Sequence, residues 1–134
     1  MIQAKYNTME IKNILTPKAP VPAGHYSQAV IHKDLIYISG QLPVIPESGE
    51  KVSGTIEDQT LQVLKNVKAI AEAAGSDLSK TLKVTIYISD IDNWGKINQV
   101  YSDFFGTFKP ARTVVPVNEL HYGFKIEMEA IVAI

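Results

Sequence analysis

The stretch from Ile56 to Ala74 constrains the fold most. Leu61, Leu64, Val67, Ile70, Ala71 and Ala74 recur at spacings of three and four, which places them on one face of a helix. Thr55 supplies an N-cap oxygen and Gly75 the left-handed residue that closes such a helix, so both ends are marked. An amphipathic helix has to lay its apolar stripe on something, and the flanking sequence offers strands. Tyr26 to His32 and Leu35 to Gly40 are apolar, β-rich runs separated by Lys33-Asp34, a hairpin pattern whose turn pair is not the favoured Asn-Gly. Leu82, Val84, Ile86 and Ile88 alternate with Lys83, Thr85 and Tyr87, the period of a strand with one buried face. Asp92 or Asn93 is placed to cap a second helix whose apolar face is Ile97, Val100, Tyr101, Phe104, Phe105 and Phe108, with Pro110 as its stop. Arg112 to Val117 and Phe124 to Ala133 read as two final strands joined through His121, Tyr122 and Gly123.

Pro17, Pro20 and Pro22 mark an extended lead-in, and Pro43, Pro46, Gly49 and Gly54 punctuate a loop. The expected order is ββαβαββ, an α+β layout with one mixed sheet covered on one face by two helices. The last strand sends Phe124, Ile126, Met128, Ala130 and Val132 one way and Lys125, Glu127, Glu129, Ile131 and Ala133 the other, so neither face is wholly polar. In so short a chain that pattern predicts a homo-oligomer, with the second face covered by another subunit.

At 134 residues, 46% hydrophobic and 20% charged, the chain is expected to form one globular domain over residues 1–134. Its net charge of −1 argues against a nucleic-acid partner. With no cysteine there is no disulfide, thiolate metal site or thiol nucleophile. His25, His32 and His121 show no ligand spacing, so no metal is expected. The N-terminus lacks a signal-peptide apolar core, and no window approaches the roughly 18 apolar residues of a membrane span, so a cytoplasmic protein without a membrane partner is expected. Dinucleotide-binding, P-loop, serine-hydrolase and zincin motifs are missing.

Four patches carry candidate chemistry. Gly24-His25-Tyr26-Ser27-Gln28-Ala29 groups a phenol, a hydroxyl and an amide that either orient a small polar ligand or cap the hairpin. Ser39-Gly40-Gln41-Leu42-Pro43 breaks a strand at Gly40, where the backbone either meets a ligand or forms a β-bulge. Pro110-Ala111-Arg112 sets Arg112 at a strand start; beside twelve lysines, this sole arginine is either a bidentate carboxylate clamp or half of a structural ion pair. Lys125, Glu127 and Glu129 share a strand face, where two neighbouring carboxylates either separate their pKa values for base chemistry or pair with lysines across strands.

In this order and spacing, the patches resemble the RidA/YjgF family. The likeness runs from about Met9 onward and includes Gln59-Thr60, Leu64, Asn66, Ala73-Ala74-Gly75, Asn98 with Tyr101, Phe104-Phe105 and Ile126-Glu127-Met128-Glu129-Ala130. The resemblance implies a chorismate-mutase-like subunit, assembled as a homotrimer with a central β-barrel and clefts between subunits. It further implies a hydrolase, a 2-iminobutanoate/2-iminopropanoate deaminase acting on imines and enamines such as 2-aminoacrylate and 2-aminocrotonate to give 2-keto acids and ammonia. Carried over by position, Arg112 clamps the substrate carboxylate and the Gly40 backbone contacts the bound acid. Tyr26 lines the cleft, Glu127 holds or activates the attacking water, and Asn98 belongs to the cleft or its support. No cofactor is implied, since an imine carbon is already electrophilic and needs only orientation, a water and proton transfer.

Three positions depart from the family pattern: His25 and His121 stand where proline is usual, and Val114 where cysteine is frequent. Residues 1 to 8 precede the family's usual start and are expected to be a flexible extension, with Met9 as an alternative initiator. Two other functions compete with the deaminase. One is a non-catalytic trimer that senses keto acids or other small carboxylates; the other is a ribonuclease, which the charge balance and the lack of a basic, aromatic-lined stripe disfavour.

Overall fold

The structure is a computed structural model that describes residues 10–134; the expectations for residues 1 to 8 and Met9 fall outside it. Six strands form one sheet, β1 (Ile11–Ile14), β2 (Ala29–His32), β3 (Leu35–Gln41), β4 (Thr81–Ile88), β5 (Ala111–Pro116) and β6 (Ile126–Ala133), in the order β1-β2-β3-β6-β4-β5. Only β4 and β5 run parallel, which makes the sheet mixed as expected. Helices α1 (Ile56–Ala73) and α2 (Trp94–Phe105) cover one face.

The observed order is thus βββαβαββ rather than ββαβαββ. The added strand, β1, has little apolar alternation, pairs with β2 alone and sets one side chain, Ile14, against the core, so backbone pairing carries most of its attachment. The Lys33-Asp34 turn does join a hairpin, with Lys33 in the left-handed region at φ 57°.

Helix α1 is closed at both ends as its sequence implies. The Thr55 side chain accepts from the Asp58 N–H at 3.1 Å. Gly75 takes φ 88°, and the Gly75 and Ser76 N–H groups donate to the Glu72 and Ala71 carbonyls in a Schellman arrangement. Its buried face is Val63, Leu64, Val67, Ile70 and Ala71, but Leu61 is exposed, and the polar Gln59, Thr60 and Asn66 are buried instead. The second helix departs more. Asp90 caps the 3-10 turn before it, Asn93 makes no side-chain cap, and the helix ends at Phe105 because Gly106 turns left-handed at φ 64°. Phe108 therefore lies outside the helix and is exposed.

Ile36, Ile38, Val84, Ile86, Ile88, Ile126, Met128 and Val132 form the sheet side of the core. Leu82 does not join them. The β4–β6 register slips between Thr81 and Lys83, so a bulge there buries Thr81 and turns Leu82 outward. The helix-free face carries Leu35, Tyr37, Tyr87, Val115, Glu127, Glu129, Ile131 and Ala133, all at least partly exposed.

Buried polar side chains staple the loops to this core. Gln28 is 1% exposed; its amide nitrogen donates to the Thr16 and Pro20 carbonyls, each at 3.0 Å, and its oxygen accepts from the Thr16 N–H at 2.7 Å. Asn66 donates to the carbonyls of Leu42 and Val44, and Gln59 accepts from the Lys125 N–H just ahead of β6. Gln28→Leu keeps the volume but leaves these backbone groups unpaired. It is expected to cost more than about 2 kcal/mol in urea unfolding; a loss below about 0.5 kcal/mol would contradict the staple.

Candidate active site

Glu127 sits on β6 facing the helix-free side, opposite Tyr87 on β4. Across from it, β3 slips register between Ile38 and Gln41, so Ser39-Gly40 is a bulge in the β3–β6 pairing. A Cβ built on Gly40 would collide with the Glu127 carboxylate. Of the two readings of Gly40 the structure shows the bulge, which brings a bare backbone against the Glu127 carboxylate. The Ser39 hydroxyl donates to the Ser27 carbonyl at 2.6 Å, and the Ser39 N–H to the Gln28 carbonyl at 3.0 Å, which tie this bulge to the Tyr26 segment. Tyr26 folds back through its N–H to the Gly24 carbonyl, and its hydroxyl accepts from the Ala23 N–H.

Together these residues wall a cleft of about 360 Å³, lined by Tyr26, Ser39, Gly40, His121, Tyr122 and Glu127 among others. Burial pushes the Glu127 carboxyl above its ordinary pKa; His121 pulls the other way, and the Glu129 charge adds to the rise. Glu129 itself accepts from the Tyr87 hydroxyl, whose pKa rises mainly through that bond. The neighbouring carboxylates are thus differentiated, with Glu129 held by a donor and Glu127 left facing the cleft. No cross-strand lysine bridges either, since the ion pair within 4.0 Å among the described residues is Lys68 with Glu72.

Arg112 lies elsewhere. It pairs with Val84 and, through it, with Ala130, a row on the helix-covered face, whereas Glu127 and Tyr87 belong to the opposite face. Its Nη1 donates to Asn98 Oδ1 at 2.9 Å, and its guanidinium carbon stands 4.7 Å from the Tyr101 ring centroid and 5.7 Å from that of Trp94. No carboxylate lies within ion-pair distance of it among the described residues of the single chain. Asn98, Tyr101, Phe108, Pro110 and Arg112 line a second hollow of about 380 Å³. There the Tyr101 hydroxyl is buried without a partner, and burial drives its pKa up to about 12.

Within one chain, then, the expected site residues divide into two groups: Tyr26, Gly40 and Glu127 in one cleft, Asn98 and Arg112 in the other. Of the three departures, His121 lines the Glu127 cleft, Val114 packs against the core on the Arg112 face, and His25 is exposed outside both. Tyr87, Tyr122 and Trp94 escape sequence reading as site residues, because each reads as an ordinary strand, loop or helix aromatic, whereas Tyr101 is marked there only by its spacing from Asn98. The sole tryptophan, four positions before Asn98, was the available signal. Among the described residues no group of three or more His, Asp or Glu could hold a metal ion, and no helix is long and apolar enough to cross a membrane.

Because burial raises the Glu127 pKa, its ionisation costs the folded state more than the unfolded one. That penalty is present above the folded-state pKa and disappears below the unfolded value. Glu127→Gln is therefore expected to raise the melting temperature at pH 7 to 8, and the gain should vanish below about pH 4; a gain that persists in acid would contradict a buried, ionised Glu127.

A model of the family described as Endoribonuclease L-PSP matches residues 16–134. A RutC family protein of Pyrococcus abyssi is 49% identical over 118 residues, covering 88% of this chain and 93% of that protein. The 2-iminobutanoate/2-iminopropanoate deaminase of Rattus norvegicus is 42% identical over 120 residues, covering 90% of this chain and 88% of the rat protein. Among solved structures, the YjgF gene product of E. coli superposes with a TM-score of 0.87 at 39% identity, covering 91% of this chain and 98% of that one. Fold, motif order and these matches together place the chain in the RidA/YjgF family.

Proposed function

We propose that this protein is a homotrimeric imine deaminase that hydrolyses 2-iminopropanoate, 2-iminobutanoate and their enamine forms to 2-keto acids and ammonia. The observation that carries the reading is the division of the site. Arg112, unpaired with any described acid, lies in one hollow and Glu127 in another, so a complete site needs Arg112 of the partner subunit beside the Glu127 cleft. The partly apolar, helix-free sheet face supports assembly, since a free subunit would leave it in water.

In this scheme Arg112 of the partner subunit grips the substrate carboxylate with two parallel hydrogen bonds. Asn98 occupies Nη1 and the Tyr101 ring supports the guanidinium face, so the clamp is oriented before substrate arrives. The bare backbone at Gly40 lets the acid lie close to Glu127, with Tyr26 as the cleft wall. Glu127 takes a proton from water as the water oxygen bonds to the carbon of the protonated imine, and the C=N π pair becomes the nitrogen lone pair of a neutral carbinolamine. Glu127 returns its proton to the carbinolamine nitrogen, the C–N bond breaks as the hydroxyl oxygen forms the C=O bond, and the hydroxyl proton passes to the departing ammonia, which leaves as ammonium. Burial that raises the Glu127 pKa brings it nearer neutrality, where a base and acid in turn work best.

A dehydratase that releases the imine from serine or threonine in situ tests the reading through the rate of keto-acid appearance. The protein is expected to accelerate that step, Glu127→Gln to cut the acceleration by about a hundredfold or more, and Arg112→Lys to cut it by about tenfold, since an ammonium cannot make the bidentate contact. Acceleration should fall as pH drops through the raised Glu127 pKa, above the ordinary carboxylate range. Saturable keto-acid binding without turnover, lost in Arg112→Ala, would instead make the protein a carboxylate sensor.

A further inference from the structure

Tyr122 is held in the left-handed region at φ 59°, ψ 19°, a conformation that a bulky residue adopts only when its surroundings impose it. Its ring is fixed on two sides: the Phe124 ring meets it edge-on at 5.8 Å, and the Lys51 ammonium stands 4.5 Å from its centroid. The residue is nonetheless 63% exposed, so core packing does not account for its placement. What the ring does is divide space. It lines the Glu127 cleft and also a second lobe of about 200 Å³, and the two share Ala23, Tyr26, Gly40, Leu42 and Tyr122 as common walls.

The second lobe is apolar in what it offers a ligand. Val21, Leu42, Val44 and the two tyrosine rings face it, and no acid lines it. Its two amides are already engaged, Gln28 with the Thr16 and Pro20 carbonyls and Gln41 with that of Ser39. Its charge, Lys51, rests over the Tyr122 ring. Val21 and Tyr26 are 76% and 51% exposed, apolar surface that a ligand side chain would remove from water. The smallest imino acids would fill only the Glu127 side and leave this lobe wet.

We propose that the lobe is a side-chain subsite, and that the enzyme prefers 2-imino acids with large apolar side chains, as formed from leucine, methionine or phenylalanine. The inference rests on the deaminase reading above. With the imine carbon at Glu127, the side chain passes Gly40 between Tyr26 and Tyr122 and enters the lobe. The bonds made and broken are those already described, because the side chain takes no part in them.

Imines generated in situ by an amino-acid oxidase from alanine, leucine and phenylalanine test the proposal, with kcat/KM read from ammonia release above the uncatalysed rate. The leucine and phenylalanine imines are expected to exceed the alanine imine by about tenfold or more, the discrimination that an apolar pocket gives for added methylenes. Tyr122→Gly removes the ring at a φ that glycine accepts, and Val44→Glu puts a charge into the lobe; each is expected to collapse that ratio. An alanine imine that is hydrolysed as well as the larger ones, or a ratio untouched by both substitutions, overturns the subsite and leaves the deaminase standing. Failure to accelerate any imine overturns the deaminase reading itself.

Discussion

Ile14, Ala29, Ile38, Ala130, Val84 and Arg112 form one continuous cross-strand row through all six strands, on the face that the helices cover. The row is apolar until its last member. Strand alternation then obliges the neighbouring rows, with Glu127, Tyr87 and Glu129, to face the side without helices. The same geometry that builds the core thus sends the cation and the carboxylate of the candidate site to opposite faces. Arg112 is tolerated at the end of an apolar row because β5 is an edge strand, where Asn98, Tyr101 and Trp94 of α2 flank its guanidinium.

Much of this was legible in the chain. Period placed both helices and all but one strand, because each carries an apolar face long enough to register, and capping marked the first helix alone. What escaped reading has a common cause: a local irregularity that period cannot express. Leu82 fits a perfect alternation yet turns outward at a bulge, and Phe108 continues a helical spacing across Gly106, where the backbone has already left the helix. β1 has no buried face to announce it. Gln28, Gln59 and Asn66 were noticed as motif residues, but their work is to pair buried backbone groups, and those partners are distant in sequence.

The candidate residues were legible in the sequence, and their arrangement was not. Composition singled out Arg112, and strand parity put Glu127 beside Glu129. Neither says which hollow each side chain reaches, since that depends on a bulge at Gly40 and on the packing of α2 against β5. Glu127 also illustrates why such sites are costly to the fold. A carboxylate pressed against bare backbone, partly out of water and beside a second acid, disfavours its own charge. The strained Tyr122 backbone has the same character, and both line one cleft.

The central claim is that one catalytic site draws Arg112 and Glu127 from different copies of the chain. Unfolding Arg112→Ala and Glu127→Gln subunits together and refolding them as mixed oligomers tests it directly. In a head-to-tail ring assembled at random from equal parts, about a quarter of the sites receive an intact Arg112 and an intact Glu127. The account therefore predicts that imine hydrolysis returns to about a quarter of the unmutated level, although neither variant works alone. Mixed oligomers as inactive as their parents would contradict the shared site.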